Sequence, residues 1–181
     1  MDEISLHILD IIENSINAGA SRILLKIIKD SPNDLLKVII KDNGRGMTPE
    51  QVAKSTDPFY STKTRGKGGL GLALVKQTCE QTQCSFFIDS VPGAGTMVEA
   101  LMKLSHPDRP VMGNLAGSLT AIIAGLGDPI DLLFEVDADG FSYILDTVEI
   151  KKELDGMPVS HPSVLKFIRD DIADNIKNLF D

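Results

Sequence analysis

Cysteine is scarce in this 181-residue chain, which has only Cys79 and Cys84. Their spacing fits neither a C-x-x-C redox pair nor a zinc pattern, so both are expected to be small buried thiols. No apolar run approaches the ~20 residues that a membrane-spanning helix needs. The opening MDEISLHILDIIENS has no basic stretch ahead of its apolar residues. No secretory leader is therefore expected, and the cytoplasm is the expected address. Positive charge is in deficit: 18 Lys and Arg face 26 Asp and Glu, a formal net charge of −8. That balance argues against broad binding to nucleic acid or membrane surfaces. It leaves room for a local cationic pocket, and Lys63, Arg65 and Lys67 do cluster. Internal repeats, low-complexity stretches and a Walker A string are absent as well.

The composition is otherwise that of a globular protein, 43% hydrophobic and 24% charged, at a length that folds without a disulfide or metal. ISLHILDIIENSINAGA predicts a helix, with Leu9, Ile12 and Ile16 at helical spacing and Gly19 as C-terminal cap. SRILLKIIK and LLKVIIK predict strands joined by the turn chemistry of DSPND. TPEQVAKS predicts a short helix: Thr48 caps it, Pro49 takes the first helical position, and Gln51 completes a capping box. LGLALVKQTCEQ predicts a helix, and CSFFIDSV with TMVEALMKL a second hairpin. Residues 105–110, SHPDRP, read as a linker.

Beyond the linker, MGNLAGSLTAIIAGLG predicts a helix, and PIDLLFEVDADGFSYILDTVEI a hairpin turning at Asp139-Gly140. HPSVLKFIRDDIADNIKNLF predicts an amphipathic helix with Val164, Phe167, Ile168 and Ile172 on one face, extended by Ile176 and Leu179. Residues 1–104 are thus expected to form an α/β (α+β) two-layer sandwich with a mostly antiparallel sheet. Residues 111–181 are expected to form an α-β-β-α appendage for packing or interactions. Its Asp137, Asp139, Asp146, Glu149 and Glu153 read as a charged hairpin face, not a metal cluster.

GKGGLGLALVK contains G-x-G-x-x-G at Gly66, Gly68 and Gly71. A dinucleotide fingerprint requires a strand directly before it, but DPFYSTKTR precedes it, with a proline and no apolar run. Four segments acting together give another reading: LDIIENSINAGA, DNGRGM, DPFYSTKTRGKGGLGLALVK and GAGT occur in this order. They resemble the N box, first glycine box, F box with second glycine box, and G-x-G-T box of the GHKL ATPases. That family includes DNA gyrase, Hsp-type chaperones, histidine kinases and MutL. The resemblance covers residues 1 to about 104 and implies the Bergerat ATP-binding fold. ENSINAGA and DNGRGM look like MutL, whereas PFYSTKTRGKGGLGLALVKQ looks like a histidine kinase.

The resemblance implies ATP and Mg²⁺ as ligands and assigns roles to residues. Asn14 matches the asparagine that coordinates Mg²⁺ over the phosphates; one amide oxygen with phosphates and waters suits that ion. Asp10, one turn earlier, stands where hydrolytic members carry a glutamate base and histidine kinases often an asparagine. Aspartate departs from both and reaches one methylene less. Glu13 matches the acidic neighbour of the asparagine. Asp42 matches the aspartate that accepts a hydrogen bond from the adenine amino group. Gly44 and Gly46 let the backbone pass close to the base, and Thr96 supports the adenine contact. Met47 either packs near the adenine or belongs to the core. Gly68, Gly69, Leu70 and Gly71 lead into a helix N-terminus suited to phosphate. Lys63, Arg65 and Lys67 either neutralise the triphosphate or form a solvated cluster. Phe59 anchors the base of the lid.

No histidine-kinase phosphoacceptor helix precedes the N box in this sequence, and His7, His106 and His161 lack an acceptor-like setting. A self-sufficient autophosphorylating kinase is therefore not expected. The reading is a Mg-ATP-binding protein that phosphorylates or regulates a partner protein. An ATP-operated switch and a weak MutL-like ATPase driven by Asp10 are the alternatives.

Overall fold

The computed structural model describes residues 3–57, 71–82, 85–127 and 129–180. Helix α1 (Ile4–Asn17) comes first and ends at Gly19, whose φ of +77° is the left-handed cap conformation. Strands β1 (Arg22–Asp30) and β2 (Leu35–Asp42) form the first hairpin. Helix α2 (Pro49–Ser55) begins with the expected capping box of Thr48 and Gln51. Helix α3 (Gly71–Gln81) leads to the hairpin of β3 (Ser85–Val91) and β4 (Gly95–Lys103). Then come α4 (Leu115–Gly125), β5 (Asp131–Ala138), β6 (Phe141–Asp146), α5 (Thr147–Glu153) and α6 (Pro162–Ile176). Among the described residues, no helix is long and apolar enough to cross a membrane.

Among the described residues, six strands form one sheet in the order β3-β4-β2-β1-β5-β6. Every neighbouring pair is antiparallel except β1 with β5, which run parallel over eight residue pairs. The C-terminal hairpin therefore extends the same sheet from the free side of β1. Strand periodicity sends alternate side chains to opposite faces. Ile23, Leu25 and Ile27 of β1, Leu36, Val38 and Ile40 of β2, and Leu132, Phe134 and Val136 of β5 point into one core. Helices α1, α3, α4 and α6 cover this face. The opposite face carries cross-strand ion pairs, Lys26 with Glu135 (3.2 Å) and Lys37 with Glu99 (3.1 Å). The architecture is thus a two-layer sandwich with a mixed, mostly antiparallel sheet.

On α6, Val164, Ile168 and Ile172 are buried as the sequence predicts, but Phe167 is 67% exposed. At 3.6 residues per turn, Phe167 lies roughly 120° from the centre of the stripe set by the other three with Ile176. Its ring therefore clears the core edge. Cys79 is buried in the core, as expected of a small thiol; Cys84 lies outside the described residues.

Candidate functional site

The buried row of β2 runs Leu36, Val38, Ile40 and then Asp42, so the strand's period carries a carboxylate to the end of the apolar face. Asp42 is only 7% exposed. A buried carboxylate is costly without hydrogen-bond donors, and two are present. Ser15 Oγ, from α1, donates to Oδ2 at 2.7 Å, and the Gly44 backbone N–H donates to Oδ1 at 2.8 Å. Asn43 fixes the loop that presents them: its Oδ1 accepts from the N–H groups of Ser21 and Arg22, both at 2.9 Å.

Register places Thr96 beside Asp42 and Ser90 beside Thr96. The Ser90 and Thr96 hydroxyls are 2.8 Å apart, and Ser90 Oγ also accepts from the Met47 N–H at 2.8 Å. Gly46 and Gly95 hold φ of +65° and +99°. A Cβ on Gly46 would strike the Val91 carbonyl, and one on Gly95 the Asp42 carbonyl. These two glycines are what allow the DNGRGM loop to lie against the β3–β4 turn.

A cavity of ≈ 270 Å³ opens between α1 and this strand end. Asn14, Ser15 and Asn17 line it from α1, and Asp42, Arg45, Gly46, Met47 and Thr96 from the sheet side. Gln51 and Ser55 of α2 and Leu72 of α3 complete its lining, with the apolar side chains of Ile11, Ile40 and Val98. A mostly apolar hollow of about 20 Å³ adjoins the cavity between α1, α3 and the sheet, sharing Ile11, Ile40 and Val98. It has room for about one water, and His7 and Thr78 are among its lining residues.

Of the residues expected from sequence, Asn14, Asp42, Gly46, Met47 and Thr96 come together on this one cavity. Gly44 sits directly behind Asp42. Asp10 and Gly71 instead meet each other: a Cβ on Gly71 would lie 2.8 Å from that of Asp10, so glycine sets the close approach of α3 to α1. Burial pushes the Asp10 carboxyl up from its ordinary value, partly offset by the charge of His7. Lys63, Lys67, Gly68, Gly69 and Leu70 lie outside the described residues, as do Phe59, Arg65 and Gly66. Among the described residues no group of three or more His, Cys, Asp or Glu could hold a metal. Asn14 with phosphate and water oxygens is the kind of sparse donor set that suits magnesium.

Sequence reasoning missed Ser15, Ser90, Asn43 and Arg45. Ser15 gave a faint signal, because serine is unfavourable inside a helix unless its hydroxyl has work there. Arg45 is the one cationic side chain lining the cavity among the described residues, its Nη1 donating to the Asn17 carbonyl at 3.3 Å.

A two-layer sandwich with a cavity of mixed polar and apolar lining between a helix and the strand end of a glycine loop is consistent with a nucleotide-binding domain. The model of the histidine kinase-, DNA gyrase B-, and HSP90-like ATPase family matches residues 2–106, more than half of the chain. The chain belongs to this family, and membership implies ATP binding. It is similar to the sensor histidine kinase ZraS of Klebsiella oxytoca, 32% identical over 113 residues, which are 62% of this chain and 24% of that protein. A putative sensor histidine kinase NtrY-like protein of Rickettsia prowazekii is 33% identical over 81 residues, 45% of this chain and 13% of the other. The chain thus spans about a quarter or less of the length of these relatives. The crystal structure of the N-terminal domain of a DNA repair protein matches with a TM-score of 0.57 at 15% identity. That match covers 81% of this chain and 53% of the other, so the shared fold extends beyond the family segment.

Proposed function

We propose that the chain binds Mg-ATP in the α1–β2 cavity and uses it in the cytoplasm to phosphorylate or otherwise regulate a partner protein. The observation that carries the reading is that Asp42 and Asn14, from two different elements, line one cavity. Asp42 has spent one acceptor position of each oxygen on Ser15 and Gly44. As a carboxylate it has only acceptors left to offer. Adenine presents an amino donor to it, whereas guanine would present a carbonyl. Thr96, hydrogen-bonded to Ser90, adds a hydroxyl beside Asp42 that adapts as donor or acceptor. Met47 flanks the base.

Asn14 supplies an amide oxygen for the magnesium ion, whose chemistry when bound is to neutralise phosphate charge. Gly71, with Lys63, Lys67, Gly68, Gly69 and Leu70, is assigned to the phosphates by motif. Asp10, against Gly71, is the candidate base for an attacking hydroxyl or water. The phosphotransfer side of the reading rests on the sensor histidine kinases among the relatives.

The test is to incubate the full chain with γ-labelled Mg-ATP and the proteins that co-purify with it. Label is expected on a second protein, and not with the Asp42→Asn variant. A partner that is retained equally by a non-hydrolysable analogue, with no transfer of label, would contradict the kinase reading and establish an ATP-operated switch.

A further inference from the structure

Ser15 lies one residue past Asn14 on the cavity wall and is only 3% exposed. Its hydroxyl has a single proton and two acceptors within reach. The Ile11 carbonyl, one turn back, is 3.3 Å away, and Asp42 Oδ2 is 2.7 Å away. A serine inside a helix ordinarily bonds back to its own preceding turn. Here the shorter, charge-assisted bond to Asp42 takes the proton. The Gly44 N–H holds the other carboxylate oxygen at 2.8 Å. Two donors from two different elements therefore fix the plane of the carboxylate. Gly44 alone would leave it free to rotate about one bond.

We propose that Ser15 is a positioning residue that sets the base discrimination of the cavity by holding Asp42 in place. The proposal rests on the adenine-nucleotide reading above and deepens it. Asp42 would touch the base; Ser15, whose proton is engaged by Asp42, acts through it. A carboxylate held at both oxygens keeps its remaining acceptor positions in fixed directions, so the exocyclic amino group of adenine meets a prepared partner. Selectivity for a polar group depends on such preorganisation, because a mismatched base leaves a buried acceptor unpaired.

The experiment compares two probes on the full chain: ATP, and the triphosphate of purine riboside, which lacks the 6-amino group. The unsubstituted chain is expected to prefer ATP. Ser15→Ala is expected to weaken ATP binding about tenfold while leaving the purine analogue unchanged, so the preference collapses. Ser15→Thr keeps the hydroxyl and is expected to keep the preference. An equal loss for both probes in Ser15→Ala would make Ser15 merely structural and overturn the proposal, as would an unaltered preference. Failure of the unsubstituted chain to take up either triphosphate would overturn the nucleotide reading itself, a result distinct from either of these.

Discussion

At Asp10, burial pushes the carboxyl up from its ordinary value of 3.8, and His7 returns only part of the shift. A raised folded-state pKa contributes stability that is fully present below the unfolded value and is lost as pH rises through the folded one. Ionised Asp10 therefore opposes folding at neutral pH. Asp10→Asn is expected to raise the thermal midpoint at pH 7, with the gain shrinking toward pH 4 and vanishing below it. A gain that is constant across this range would contradict the account. Asp34 and Asp139 behave oppositely: hydrogen bonds from Ser105 and Ser31 hold their carboxyls below the ordinary value, so their contribution is lost as pH falls. The cavity residues legible from sequence were those within short motifs, Asn14, Asp42, Gly46, Met47 and Thr96. Ser15 was legible only faintly, as a serine inside a helix, because its partner Asp42 lies 27 positions away and only the fold joins them.

Elements whose cause is local were readable. The capping box of α2, the Gly19 stop of α1 and the Asp139-Gly140 turn each depend on residues within a few positions of one another. The parallel pairing of β1 with β5 was not readable, since more than a hundred residues separate Arg22 from its partner Asp131. No turn chemistry announces a parallel pair. The same junction carries a two-pronged ion pair in which Arg22 donates to both oxygens of Asp146, at 3.0 and 2.7 Å. Asp146 in turn caps α5 through the Val148 N–H. Residues 107–181 therefore support the family segment: Leu132, Phe134 and Val136 of β5 and Leu119 and Ile123 of α4 belong to the shared core. Each such side chain contributes about 1.5–3 kcal/mol when fully buried. A chain cut after residue 106 is expected to aggregate or to melt well below the full chain. A soluble fragment with the same midpoint would show that the second half adds no stability.

The described residues form a sheet covered by helices on one face, and the Asp42 cavity lies where that covering meets the end of β2. The helix α1 is buried along Ile4, Ile8, Ile11 and Ile12, which holds Ser15 against Asp42 at the strand end and leaves Asn14 on the cavity. Fold and site thus have one origin: the packing of α1 on β2 brings an amide and a carboxylate to a common space. The most direct measurement is a calorimetric titration of ATP into the full chain, with and without Mg²⁺, repeated on Asp42→Asn. The account predicts magnesium-dependent uptake by the unsubstituted chain and a loss of at least about tenfold in Asp42→Asn, as expected when a hydrogen bond to a charged group is removed. Equal affinity of the two proteins, or no uptake by either, would contradict it.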